Sequence, residues 1–151
     1  MPLIYSYQKF ITRAVTRILK LPVDANNTVL ATELCTINGL TYVSVQAGAT
    51  LPLDQPAEIK ASIATPTITP ALTDQIKAAS PHTQLISDRT IEQIRAKYSI
   101  NDELYLARIG IGASSGIYAP TAAEMQELND FAVVAEAARQ WGREQRAILG
   151  L

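Results

Sequence analysis

The chain of 151 residues holds one cysteine, Cys35, and one histidine, His82. A single thiol forms no intramolecular disulfide, which excludes a disulfide-stapled secreted fold. One His and one Cys do not make a tetrahedral zinc site by themselves. Charge is also scarce. Asp, Glu, Lys and Arg make up 18% of residues and the net charge is -1, against roughly 25% charged in an average globular domain. Without clustered Lys and Arg there is little to release counterions from a phosphate backbone, so nucleic acid is not expected as a partner. The shortage of charge instead implies extra buried surface, such as contacts between subunits. No apolar run approaches the ~18 residues of a membrane span. The N-terminus has no apolar core followed by a small-residue cleavage site. These absences describe a cytoplasmic product without a membrane span, able to join a larger particle.

What is present suits one domain over residues 1–151, in two parts: an N-terminal helix, hairpin and proline-punctuated arm over 1–70, and a helical part over 71–151. Apolar residues make up 48% of the chain, enough to fill a core at a length that buries roughly 70% of the unfolded surface. Within residues 4–21, Ile4, Phe10, Ile11, Ala14, Val15, Ile18 and Leu19 recur at helical spacing, with Lys9, Arg13, Arg17 and Lys20 on much of the other side. That pattern predicts a basic surface helix, or an arm on a neighbouring subunit. Pro22 ends it. Thr28–Ile37 and Leu40–Ala47 are rich in Thr, Val, Leu and Tyr, and Asn38-Gly39 between them suits a type I′ turn. A two-residue turn pairs Ile37 with Leu40, Cys35 with Tyr42, Leu34 with Val43 and Glu33 with Ser44. Both faces of this hairpin are partly apolar, so both are expected to be covered. A lone hairpin is marginal in water, so it needs a third strand, a helix or a partner. Ile59, Ala61 and Ile63 alternate like a short strand, while Pro52, Pro56, Pro66 and Pro70 confine any strand there to an edge.

The second half reads helical. Thr69 caps a helix with Pro70 at its first position, running to about Ala79. Ser80-Pro81 repeats the device and opens a helix through Tyr98. Asn101, with Asp102 and Glu103 in the first turn, caps a third, which stops at the glycines of Gly110–Gly116. Thr121 followed by Glu124 is a capping box. It opens a helix over about 122–149, acidic early and Arg-rich late. At 1.5 Å per residue that helix is ~42 Å long. Its apolar stripe is Met125, Leu128, Phe131, Val134, Ala138, Trp141 and Ile148, thinned at Gly142 and Gln145. The fold class is therefore α+β: an N-terminal helix and small antiparallel sheet, then helices ending in a long one.

Catalytic chemistry finds little support. Gly112-Ala-Ser-Ser-Gly116 matches G-x-S-x-G with Ser114 as nucleophile, but that elbow needs a strand before it and Asp then His after it. Here a helix precedes and His82 lies upstream. No Lys-Ser or Lys-Thr follows the glycines, as a phosphate-binding loop requires. Asp102-Glu103 is first-turn dipole chemistry rather than a metal pair. No cofactor and no catalytic or metal-binding residue is expected. Cys35 reads as a small core residue and His82 as exposed.

The ending Glu136-Ala-Ala-Arg-Gln-Trp-Gly-Arg-Glu-Gln-Arg-Ala-Ile-Leu-Gly-Leu151 resembles the Trp- and Arg-bearing C-terminal helices of tailed-bacteriophage proteins, among them small virion components and tail-fibre assembly proteins. The uncharged stretch Ile59–Leu72 suits the extended arms of virion assemblies. The resemblance covers the last quarter of the chain. It implies a structural or assembly role with other protein subunits, as a homo-oligomer or a hetero-assembly, and no cofactor. The expected function is a non-enzymatic virion subunit of tail, baseplate or head–tail junction. An assembly chaperone or adaptor acting through the last helix is the second reading, and a small hydrolase the third. Trp141 is the expected interface anchor, with Arg139, Arg143, Arg146, Ile148 and Phe10 as further contact residues.

Overall fold

In the computed structural model, which describes residues 1–151, the chain is α+β: strands in the first third, then helices ending in a long one. It condenses into two compact units, residues 1–85 with 145–151, and residues 86–144.

The first unit is built on a hairpin. Strands β4 (Ala31–Ile37) and β5 (Leu40–Val45) meet at Asn38-Gly39, both with positive φ (50° and 81°). The type I′ turn fits because Asn and Gly tolerate that region. Ile37 faces Leu40 and Cys35 faces Tyr42, as expected. Beyond them a bulge between Glu33 and Cys35 slips the register, so Glu33 rather than Leu34 faces Val43, and Thr32 faces Ser44. The extra residue lets Leu34 and Cys35 bury side chains in the same cluster.

The third strand is β1 (Leu3–Tyr7), antiparallel to β5 with Leu3 opposite Val45 and Tyr7 opposite Thr41. This corrects the expected N-terminal helix. After β1 the chain turns through a small hairpin, β2 (Phe10–Thr12) with β3 (Val15–Thr16), and runs without helix to Pro22. The apolar positions fit helical spacing. Ile4, Ile11, Thr12, Val15, Thr16 and Ile18 are nevertheless β-branched, and Tyr5 and Tyr7 favour a pleated surface. The hairpin needed a third strand, and β1 offers Ile4 to one face and Tyr5 and Tyr7 to the other.

Both sheet faces are covered. On one, Ile4, Leu34, Cys35 and Tyr42 pack with Leu72 and Ile76 of α2 (Pro70–Ala79) and with Leu149 and Leu151 at the chain's end. On the other, Tyr7, Val43 and Val45 pack under Leu19, Leu21, Leu51, Ile59 and Ile63. Residues 49–63 thus cover this face, through Ala49, Leu51, Ile59 and Ile63, while 65–69 run without helix or strand and are largely exposed. Gln55 fastens the cover: its Oε1 accepts from Lys20 N, and its Nε2 donates to the carbonyls of Lys20 and Pro52, all at 2.9 Å. The strand expected over Ile59–Ile63 is instead the single turn α1 (Ala57–Lys60), which places Ile59 in the core. Only Ala64 bridges to Ser6 of β1.

The second unit takes in most of α3 (Pro81–Arg95), all of α4 (Ile100–Ser114) and α5 (Ala122–Ile148) as far as Glu144. Ser99, not Asn101, caps α4. Its hydroxyl accepts from Asp102 N and the Asp102 carboxylate accepts from Ser99 N, a reciprocal box. The helix then passes through Gly110 and Gly112 instead of stopping there. Only Gly112 is required by packing: a Cβ there would meet Tyr118 Cβ at 2.9 Å, whereas one on Gly110 would meet Leu128 of α5 at an ordinary 3.7 Å. The chain folds back over Gly112, whose carbonyl accepts from the N–H groups of Ile117 and Tyr118. Tyr98 and Phe131 meet edge to face at 5.2 Å. The stripe that α5 buries is small: Ala135, Ala138 and Gly142, with Leu128, Phe131, Val134 and Trp141 half-buried. Gly142 is therefore part of the packed face.

Candidate interaction surface

The sequence-derived contact residues fall in three places. Arg139, Trp141 and Arg143 lie on α5 within the second unit, Arg146 and Ile148 on its last turn in the first unit, and Phe10 on the β2–β3 hairpin. Trp141 is half-buried and Arg139 exposed. Arg143 is held on its own helix by Glu136 and Gln140. Ile148 is exposed and lines an open depression of about 550 Å³ with Pro2, Gln46, Ala47 and Ala147. Phe10 is exposed, as are Ile11 and Ile18 beyond it.

The basic N-terminal segment is largely neutralised. Lys9 pairs with Glu33 at 2.7 Å, Arg17 with Glu58 at 2.8 Å and Lys20 with Asp54 at 2.5 Å. The Lys20 ammonium, through its hydrogen bond and its charge, holds the Asp54 carboxyl below its usual value. Glu58 is lowered first by a backbone hydrogen bond and then by Arg17. The two links from this segment to residues 54 and 58 help pin the cover described above. Burial raises the Tyr7 phenol, whose OH lies 3.5 Å from Glu33. Burial likewise raises the Cys35 thiol, which sits in the sheet core as expected.

Ser114 ends α4, so a helix and not a strand precedes it, and its Oγ donates to Ile111 O at 3.0 Å. Asp102 is committed to Ser99, and Glu103 lies 3.8 Å from Arg95. His82 is exposed.

The surface the sequence did not disclose is the outer side of α4. Leu106 and Ile109 face inward and are buried. Ile100, Leu104, Ala107 and Ile111 follow at spacings of four, three and four residues. At 100° per residue they share a band of ~60° on the other side of the helix. The three large side chains stand 54%, 53% and 69% exposed. Glu103 flanks this seam on one side and Arg108 on the other. Stopping the helix at Gly110 had hidden it, because the last knob, Ile111, lies beyond that point.

A second apolar feature lies on α5 and the end of α3. Val133 and Ala137 are shared by two adjoining depressions. One, of about 420 Å³, is a groove whose opposite bank is Gln93, Ala96 and Lys97. The other, about 630 Å³, reaches Ala132, Glu136 and Gln140. Val133 is 70% exposed.

The corner between α4 and α5 is polar. The Glu124 carboxylate accepts from Thr121 N and Oγ1, from Tyr118 OH and from Tyr105 OH, at 2.8 to 3.1 Å. Glu124 N in turn donates to Thr121 Oγ1 at 3.2 Å, completing the expected capping box. These donors, the Thr121 backbone first, pull the carboxyl down to about 2, while the same bonds raise both phenols.

No helix is long and apolar enough to cross a membrane. No protein-family model, curated protein or solved structure matches the chain.

Proposed function

We propose that the chain is a non-enzymatic structural subunit of a large assembly, a tailed-phage virion component of tail, baseplate or head–tail junction, made in the cytoplasm and working through protein–protein contacts. The outer face of α4 carries this reading. Apolar residues scattered singly over a surface are ordinary. Three large aliphatic side chains in register along one helix, opposite a face that is already buried, are the arrangement that a facing chain covers. The resemblance of Glu136–Leu151 to C-terminal helices of tailed-phage proteins supports the choice of assembly. Light scattering on the full chain, across low and high concentration, tests the reading. Association beyond the monomer is expected, lost in Leu104→Glu with circular dichroism unchanged. A monomer at every concentration sinks it.

A further inference from the structure

Two apolar features on the second unit are unlike each other in a complementary way. The α4 seam projects large side chains: Ile100, Leu104 and Ile111. The α3–α5 groove is lined mostly by smaller ones, Ala96, Val134, Ala137 and the buried Ala138, with the exposed Val133 at its rim. Large knobs entering a groove of small residues let two helices approach to the 8–10 Å of packed helices. Two seams facing each other would stack Ala107 on Ala107 and leave a gap there if parallel, and if antiparallel would put Glu103 with Glu103 on one edge and Arg108 with Arg108 on the other.

The charges agree with the shapes. The groove has Lys97 on its α3 bank and Glu136 beyond its α5 bank. The seam has Glu103 along one side and Arg108 along the other. One orientation of a helix in the groove sets Glu103 toward Lys97 and Arg108 toward Glu136; the reversed one sets like charge against like. Glu103 and Glu136 already have partners on their own chain, and both are solvent-accessible enough to share a second cation.

We propose that the groove between α3 and α5 receives the α4 seam of a second copy of this chain. This rests on the structural-subunit reading and names the partner. The contact is heterologous: each chain offers a knob and a groove at different places. Repetition therefore gives a ring or an open-ended row rather than a closed pair. The seam is ~16 Å long and one helix diameter, ~10 Å, wide, a footprint on the order of 160 Å², well short of the ~800 Å² per partner of a standard interface. A single contact is therefore weak, and a closed ring, which holds each copy at both its knob and its groove, is firmer than an open row.

Cysteine cross-linking with a short bis-maleimide tests it, with the wild type, whose Cys35 is buried, as control. Leu104→Cys and Val133→Cys, mixed as separate chains, are expected to give a dimer that neither gives alone. Both substitutions in one chain are expected to give a ladder of dimer, trimer and higher species. Lys97→Glu should lower the association roughly two- to fivefold, the worth of an exposed pair, and Glu103→Lys should restore it. Cross-linked dimers from Leu104→Cys alone would overturn the proposal in favour of a seam-to-seam pair, leaving the structural reading in place. Association by light scattering without either cross-link would overturn it too, moving the interface elsewhere. A monomer at every concentration, with no cross-link, would overturn both.

Discussion

Gly110 and Gly112 sit two residues apart in the same helix and should respond to alanine with opposite signs. Alanine relieves the entropic cost of a helical glycine, a gain of about 1 kcal/mol in each case. At Gly110 the new methyl would meet Leu128 Cδ2 and Cδ1 at 3.7 and 3.8 Å, ordinary contact at the end of a flexible side chain. Gly110→Ala should therefore stabilise by up to about 1 kcal/mol. At Gly112 the methyl would lie 2.9 Å from Tyr118 Cβ. That atom is fixed to a backbone whose N–H is bonded to the Gly112 carbonyl at 3.1 Å, so the strain has no cheap outlet. Overpacking of this kind costs about 1–3 kcal/mol, which cancels or exceeds the helical gain. Urea unfolding followed by circular dichroism should show the midpoint rising for Gly110→Ala and falling for Gly112→Ala, with unchanged slope. Tyr118→Ala keeps the Cβ and should not rescue Gly112→Ala. Equal shifts of the same sign at both positions would refute the reasoning.

Ile76 is fully buried between α2 and the sheet, and Ile76→Ala should cost about 2–5 kcal/mol in the same assay. Val133→Ala, on the open face of α5, should stay within about 0.5 kcal/mol of wild type. The Glu124 carboxyl is lowered to about 2 in the fold, so what it contributes is present above the ordinary carboxylate range and lost as pH falls through about 2. The α4–α5 corner should hold through pH 4 and open only near 2, read from the Tyr105 and Tyr118 resonances. In Glu124→Gln both phenols should titrate nearer 10, and the dependence of that corner on pH below 4 should vanish.

The elements legible in the sequence were those written in local chemistry. Thr69-Pro70, Asn38-Gly39 and Thr121 with Glu124 are each settled within a few residues and stand where expected. Pro81 also opens α3 where expected, but the Ser80 hydroxyl is buried without a hydrogen-bond partner and caps nothing. What failed depended on distant partners. Leu3–Tyr7 is a strand because β5 lies beside it, and apolar spacing alone fits helix or strand. The bulge after Glu33 answers a demand of the core, which takes both Leu34 and Cys35. The glycines read as a stop because the residue that needs the missing side chain of Gly112, Tyr118, comes later in the chain, while Gly110 is simply tolerated within the helix. The seam on α4 was lost with that stop. Asp102, three residues after Ser99, was the overlooked sign of where the helix starts.

The cluster on the α2 side of the sheet contains Ile4 from the first strand and Leu149 and Leu151 from the far end of the sequence. During synthesis residues 145–151 leave the ribosome after everything else described here, including the whole of the second unit. The first unit must then wait with part of that face open, although its strands were made first. Closing so long a loop is an entropic cost met late, and contacts this distant in sequence slow folding. The helices made last can be in place before the sheet made first is sealed. Anything that bound the second unit early would meet a chain whose first unit is still closing.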